Sequence, residues 1–420
     1  MTANTTPGFG QAGSPTEEVL DVQQTTCCVV GGGPAGAVLA LLLARKGIAV
    51  TLLEAHGDFD RDFRGDTLHP SVMENMDELG LADRLLQLPH SKVPAITFEF
   101  AGTSVAFADF RLLKTPFPYI TMMPQTDFLE FITGEAKRYP NFRLLMGASV
   151  RELVEEDGEI RGVRYRNRNG LHELRALLTV GSDGRFSRVR RLAGFEPIKT
   201  SPPMDVLWFR LPRRPDESEV AIARFSSGQI GILLGRGEQW QVAYVIPKGA
   251  YRDLHAAGLD QLRKHFAGVR PEVSDRLNYL EEWNQISVLS VESDRLPKWH
   301  RPGLLMIGDA SHVMSPVAGV GINYAIQDAV VAANVLGEPM REGRVGAREL
   351  IAIQRRREWP TRVIQALQTQ MQRRVVVRAL DPTEPFTPPA FMRFLPSVPI
   401  LRKLPPRLIA FGIWPVHVRD

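Results

Sequence analysis

Three segments of the chain combine bare glycine backbone with acidic side chains in spacings suited to holding a phosphorylated cofactor. The first is Gly31-Gly32-Gly33-Pro34-Ala35-Gly36, a G-x-G-x-x-G run. In such a run Gly31 permits a tight turn, Gly33 lets the backbone approach a pyrophosphate, and Gly36 lets helix and strand pack closely. Glu54 follows 18 residues after Gly36, where an acidic side chain can accept hydrogen bonds from ribose hydroxyls. A glycine loop alone is a common turn. Flanked by a strand, a helix and a terminal acid, it reads as a dinucleotide site, without settling which dinucleotide.

The second segment is the apolar run Leu177–Gly181 leading into Ser182-Asp183-Gly184-Arg185. Asp-Gly is also an ordinary turn pair. The third runs from Gly303 through Gly308-Asp309-Ala310-Ser311-His312 to Pro316 and Gly319-Val320-Gly321-Ile322-Asn323. Here a buried strand ends at Gly308-Asp309, the position where open α/β sheets bind ligands. A glycine-rich entry to the next helix, from about Gly321 to Leu336, makes a second anion-favouring helix end.

Around these residues, Thr26–Val30 predicts a buried strand, Pro34–Lys46 a helix closed by Gly47, and Ile48–Glu54 a second strand. That is a βαβ-sized unit. Short alternating runs at 91–123 and 204–247 predict a mostly antiparallel sheet, and Asp157-Gly158 a hairpin turn. The β-rich blocks interrupt the α/β blocks, so two domains are expected to be threaded through each other. Beyond about residue 340 the chain reads as helical and Arg-rich, and its last 40 residues hold 9 of the 31 prolines.

In this order and spacing the three segments resemble those of the single-component FAD-dependent aromatic hydroxylases, the flavoprotein monooxygenase class that includes para-hydroxybenzoate hydroxylase. The resemblance covers about residues 26–336. It implies an α/β fold with a Rossmann-like FAD-binding domain (25–90, 124–200 and 299–340) interleaved with a mostly antiparallel β-sheet substrate domain (91–123 and 201–298). A flexible leader (1–24) and a helical, proline-rich C-terminal wrap (341–420) complete the expected division. The resemblance also implies a set of contacts. Gly31, Gly33, Pro34, Ala35 and Gly36 would hold the FAD pyrophosphate, and Glu54, with Ala55 beside it, the adenosine ribose. Arg64 would lie near the flavin, Gln125 would meet the ribityl chain and Val150 the adenine. Asp183 is linked to FAD and nicotinamide recognition, and Asp309 to the ribityl chain. Pro316, Gly319, Gly321, Ile322 and Asn323 would border the isoalloxazine ring. The implied reaction uses NADH or NADPH, O2 and a flavin hydroperoxide to hydroxylate or epoxidise an aromatic or polycyclic small molecule. A flavin-dependent halogenase, another FAD oxidoreductase without oxygen insertion and a non-catalytic flavin sensor stand as alternatives.

Other candidates rest on residue type alone. His69, His312 and Pro316 are candidate catalytic residues, although lone histidines are commonly satisfied structural groups. Trp208, Arg210 and Tyr244 are candidate substrate residues, and as alternating sheet positions the aromatics fit a core equally well. No metal site is expected. Lys and Arg number 51 against 47 Asp and Glu. The stretch from Arg341 carries a surplus of nine positive charges, leaving the first 340 residues five negative. A chain-wide nucleic-acid footprint is not supported. Arg355-Arg356-Arg357 and Arg373-Arg374 read as solvated helix faces, with a peripheral membrane contact of the C-terminal region as the minority reading. The uncharged run Cys27–Ala44 is broken by glycine and proline and does not read as a membrane span. Two adjacent cysteines imply no disulfide framework and favour a cytoplasmic setting.

Overall fold

In the computed structural model, residues 18–60, 66–100, 102–217, 220–226, 228–383 and 386–419 are described. Arg64 and residues 1–17 of the expected leader lie outside them. The first sheet has a parallel centre: Val50–Glu54, Val19–Val30, Gly170–Gly181 and Leu304–Met306 lie side by side, with Phe142–Met146 beyond Val50–Glu54. Its middle strands are buried on both faces, which is why Cys27–Val30 reads as a continuous apolar run and Val50–Leu53 as one broken only by the buried Thr51. The helix Pro34–Arg45 covers one face, and Gly47 at φ 79° turns the chain out of it. The Asp157-Gly158 hairpin forms with both residues at positive φ.

One boundary differs from expectation. The first strand begins at Val19, so residues 19–24 are paired to Leu171–Arg175 and are not part of a leader. The polar Gln23-Gln24-Thr25 run has no apolar alternation, and main-chain pairing holds it there. A contact between Asp21 Oδ1 and His172 Nδ1 adds to that pairing.

The second sheet has seven strands, including Ala95–Phe100, Met204–Pro212, Gln229–Arg236 and Gln239–Pro247. All its pairings are antiparallel except that of Ala95–Phe100 with Ala221–Ser226. Strand alternation sends Met204, Val206 and Trp208 to one face and Leu207, Phe209 and Leu211 to the other. The second face packs on the helix Leu259–Val269, and the first meets the C-terminal helices. Those begin with two long helices, Gly321–Arg341 and Ala347–Met371, the latter continuing into a π-helical turn at Gln372–Val376. Among the described residues, no helix is long and apolar enough to cross a membrane.

Candidate active site

At the fingerprint corner the glycines are demanded by distance. Gly31 has φ 104°, and a Cβ there would stand 2.5 Å from the Ser182 carbonyl oxygen. A Cβ on Gly36 would come within 2.0 Å of the Gly31 carbonyl oxygen. Gly33 is different, because nothing lies within 4 Å of its added Cβ. It caps the helix Pro34–Arg45, whose first turn has no capping side chain and no acidic residue. Pro34 has no N–H to lose, and the amides that follow it stand at the positive end of the helix dipole.

Glu54 is fixed from two sides. Its Oε2 accepts from the Gly32 N–H at 2.8 Å and its Oε1 from the His56 N–H at 2.9 Å. The adjoining Ala55 is exposed, whereas Val150 is buried in the apolar cluster that also holds Leu53. Gln125 starts the helix Gln125–Ala136, its N–H donating to Asp66 Oδ1 at 3.3 Å. Burial raises the Asp66 carboxyl above its ordinary range, and Arg236, 2.9 Å from Oδ2, partly offsets this.

Asp183 caps the short helix Arg188–Leu192, accepting from the Ser187 hydroxyl and from the Arg188 and Val189 N–H groups at 2.7 and 3.0 Å. Burial raises its pKa despite those donors. Asp309 is half-buried in a turn at Gly308–Ala310. That turn abuts the fingerprint helix, since a Cβ on Gly308 would lie 3.1 Å from Ala35 Cβ.

Between Ser315 and Gly321 the backbone turns sharply, with Ala318 and Gly319 both left-handed at φ 65° and 62°. Pro316 accepts from the Gly319 N–H at 3.0 Å. Asn323, two residues into the next helix beside Ile322, fastens this loop to the strand Thr67–Leu68. Its Oδ1 accepts from the His69 N–H at 2.8 Å, and its Nδ2 donates to the Gly319 and Thr67 carbonyls at 3.2 and 3.3 Å. His69 is fully buried. Its Nδ1 lies 2.7 Å from the Ile409 carbonyl and therefore donates, leaving Nε2 as an acceptor without a partner. A Cβ on Gly319 would lie 3.7 Å from that nitrogen. Burial lowers the His69 pKa to about 4, with the Ile409 carbonyl opposing.

His312 occupies a different setting. Its Nε2 is 2.7 Å from Asp328 Oδ2, and Arg357 Nε donates to Asp328 Oδ1 at 2.7 Å. The Gly308 N–H also donates to Asp328 Oδ2, at 3.0 Å. Burial alone would raise Asp328, but His312 and Arg357 outweigh it and hold the carboxyl below its usual range. Arg357 is fully buried here. The solvated face expected for Arg355-Arg356-Arg357 therefore applies to its first two members only, because the third is the counter-ion of Asp328.

The long C-terminal helix supplies groups that the motifs did not reveal. Gln365 Nε2 donates to the Asp294 and Val313 carbonyls, Gln368 Nε2 to those of Ser315 and Val317, and Gln372 Nε2 to the Ser315 hydroxyl. These buried amides clamp the segment that leads into the left-handed turn. The available signal was their helical spacing along one stripe with Ile353, Arg357, Thr361 and Ile364.

Trp208 and Val317 pack against the same apolar cluster, so the inner face of the second sheet and this loop share one core. Trp208 Nε1 is a buried donor with no partner. Arg210, exposed on the same strand, favours the ionised form of Asp66. Tyr244 belongs to the outer face, edge-on to Phe266 at 5.6 Å, and burial pushes its pKa up to about 12. The structure therefore brings Trp208, and not Tyr244, toward the loop.

The open cradle at Gly33, the bare helix end and the anchored Glu54 fit the diphosphate and ribose of a dinucleotide. A family model described as "FAD binding domain" matches residues 24–366. The chain is 35% identical to 6-methylpretetramide 4-monooxygenase of Streptomyces rimosus, over 84% of this chain and 85% of that protein. Its fold resembles that of the anhydrotetracycline hydroxylase OxyS of Streptomyces rimosus (TM-score 0.72, 22% identity, 92% of this chain and 76% of that one). It also resembles the flavin-dependent brominase Bmp2 (TM-score 0.76, 16% identity, 92% and 94%). At such identities these two show the fold alone, whereas the family model and the closer sequence relative carry the assignment. The chain belongs to the FAD-binding family of aromatic-hydroxylase flavoproteins and is an FAD-dependent monooxygenase.

Proposed function

We propose that this monooxygenase hydroxylates an aromatic, polycyclic small molecule held between the inner face of the seven-stranded sheet and the Ser315–Gly321 loop, with NADH or NADPH as reductant. The observation that carries this reading is the packing of Trp208 and Val317 on one apolar cluster, with the Trp208 indole N–H buried and unpartnered. A flat apolar ring suits that cluster, and a substrate oxygen would satisfy the indole donor. The relative's name, 6-methylpretetramide 4-monooxygenase, supports an aromatic substrate. The buried, unpaired Cys27 and Cys28 are in keeping with a reducing, cytoplasmic setting.

In this reading the helix end at Gly33–Gly36 binds the FAD diphosphate, and Glu54 accepts from the adenosine ribose. Gln125 and Asp309 take the ribityl chain, and Val150 borders the adenine. Pro316 and Gly319–Asn323 line the ring system. Bound FAD supplies the oxygen chemistry, while the protein orients the substrate and excludes water. The bare amides entering the helix Gly321–Arg341 favour negative charge beside them. Neutral His69 offers Nε2 as a hydrogen-bond acceptor toward Gly319, while His312 is held in the Asp328–Arg357 cluster.

The test is NAD(P)H consumption by the flavin-loaded protein against phenols, quinones and polyketide-like aromatics, with hydrogen peroxide measured and labelled O2 followed into product. Aromatic substrates should accelerate consumption and acquire one labelled oxygen atom. Acceleration accompanied only by peroxide, or a flavin that stays oxidised across the panel, would refute the substrate reading.

A further inference from the structure

The C-terminal segment exposes more apolar surface than its own packing explains. Phe394 is 65% exposed, Ile400 87%, Leu401 43% and Leu404 54%, all within 11 residues. Single exposed apolar residues are ordinary, but a cluster of this kind marks a contact surface. The segment is nevertheless anchored. Met392 joins the apolar cluster of the substrate sheet, and Pro405, Pro406 and Ala410 form the buried side of the helix Leu404–Phe411. The outward residues are therefore surplus to a segment already docked from its inner side.

Charge identifies what would cover them. From Phe386 to Arg419 the sequence contains five arginines and lysines and no acidic residue. Arg402, Lys403 and Arg407 are exposed among the apolar side chains. The helix Ala390–Ser397 packs on the strand Thr103–Asp109. The one acid of that strand, Asp109, is engaged at both oxygens by Arg111, and Arg402 adds to its stabilisation. The positive surplus at the patch thus persists. We propose that Phe394, Ile400, Leu401 and Leu404, with Arg402 and Lys403, form a docking surface for an anionic phospholipid membrane. The apolar side chains enter the acyl boundary and the cations meet the headgroups. The contact is peripheral, because no described helix can span a bilayer.

Flotation of the flavin-loaded protein tests this, using vesicles of phosphatidylcholine alone and of phosphatidylcholine with phosphatidylglycerol, at low and high salt. Anionic vesicles should bind at least about fivefold more protein than neutral ones, and high salt should remove most of the difference. Arg402→Glu with Lys403→Glu should abolish the preference, and Phe394→Ser with Ile400→Asp should lower binding about tenfold, both with flavin content unchanged. Wild-type protein that floats with neither vesicle, or binding that both double variants leave intact, would overturn the proposal. So would a concentration-dependent dimer, seen by sedimentation velocity, that dissociates in Phe394→Ser with Ile400→Asp while no vesicle binds, since the patch would then serve a second copy. Should either double variant lose its flavin, the lipid and salt comparisons on the wild-type protein still decide.

Discussion

Gln368 Nε2 donates to the Val317 carbonyl at 2.9 Å, and the same nitrogen donates to the Ser315 carbonyl at 2.9 Å. One buried side chain from the C-terminal helix thus holds the turn that enters the helix Gly321–Arg341. Removing it strands two buried carbonyls, at a cost of about 1–3 kcal/mol. Gln368→Ala should weaken FAD retention by about tenfold and raise the peroxide formed per NAD(P)H consumed. Flavin titration and a peroxide assay measure both. Gln365, one turn earlier, holds the Asp294 and Val313 carbonyls instead. Gln365→Ala should therefore lower melting temperature with less effect on peroxide yield. Equal flavin affinity in Gln368→Ala and the wild type would mean that the loop holds its shape unaided.

The last and the middle glycine of the G-x-G-x-x-G run should respond oppositely. A methyl group on Gly36 meets the Gly31 carbonyl oxygen at 2.0 Å and Ser182 Oγ at 2.5 Å. Gly36→Ala should destabilise the apoprotein by about 3 kcal/mol through overpacking. A methyl group on Gly33 meets no protein atom within 4 Å. Gly33→Ala should leave apoprotein stability within about 0.5 kcal/mol of the wild type while abolishing flavin retention. Chemical denaturation of the apoproteins and flavin absorbance of the loaded ones separate the outcomes. Flavin content at the wild-type level in Gly33→Ala would refute the pyrophosphate placement.

This contrast also explains which parts of the site were legible. Gly31 and Gly36 are dictated by local sterics, so their spacing can be read directly from the chain. The inner stripe of the C-terminal helix cannot be read that way. Gln365, Gln368, Gln372 and Arg357 are residue types normally found in water, and only the tertiary fold turns them onto buried carbonyls, the Ser315 hydroxyl and Asp328. Strand alternation predicted that neighbours on Met204–Pro212 and Gln239–Pro247 would face opposite ways. It did not say which face lies toward the Ser315–Gly321 loop, and that depends on Val317, more than 100 residues beyond Trp208 in the chain.

The two faces of that sheet should separate in kinetics. Trp208→Phe removes an unpartnered buried donor beside the cluster that holds Val317. It should raise KM for an oxygen-bearing aromatic substrate by about tenfold, the worth of one buried hydrogen bond, with little change in melting temperature. Tyr244→Phe, on the outer face against Phe266, should leave both kinetic constants within about twofold of the wild type. Steady-state oxygen uptake on a coupled substrate provides the comparison. A KM shift in Tyr244→Phe alone would reverse the assignment of the faces.

His69 should give the fold an acid-sensitive step. Burial lowers its pKa from 6.5 to about 4. In the unfolded chain His69 takes up a proton as pH falls through about 6.5, whereas in the fold it stays neutral until about 4. The unfolded state therefore binds more protons in that window, and stability falls as pH falls. The contribution is fully present above pH 6.5, is lost progressively toward pH 4 and changes little below it. Its size is about 3 kcal/mol, from the free energy attached to each tenfold change in proton affinity. His69→Gln retains a hydrogen-bonding side chain but cannot titrate, so its stability curve should be flatter than that of the wild type over the same interval. Denaturant unfolding of both proteins at fixed excess FAD, from pH 7.5 to about pH 4, tests the difference. Parallel curves for the two proteins would show that His69 is protonated as readily in the fold as in the unfolded chain, and its unpartnered Nε2 would then have to be exposed to water.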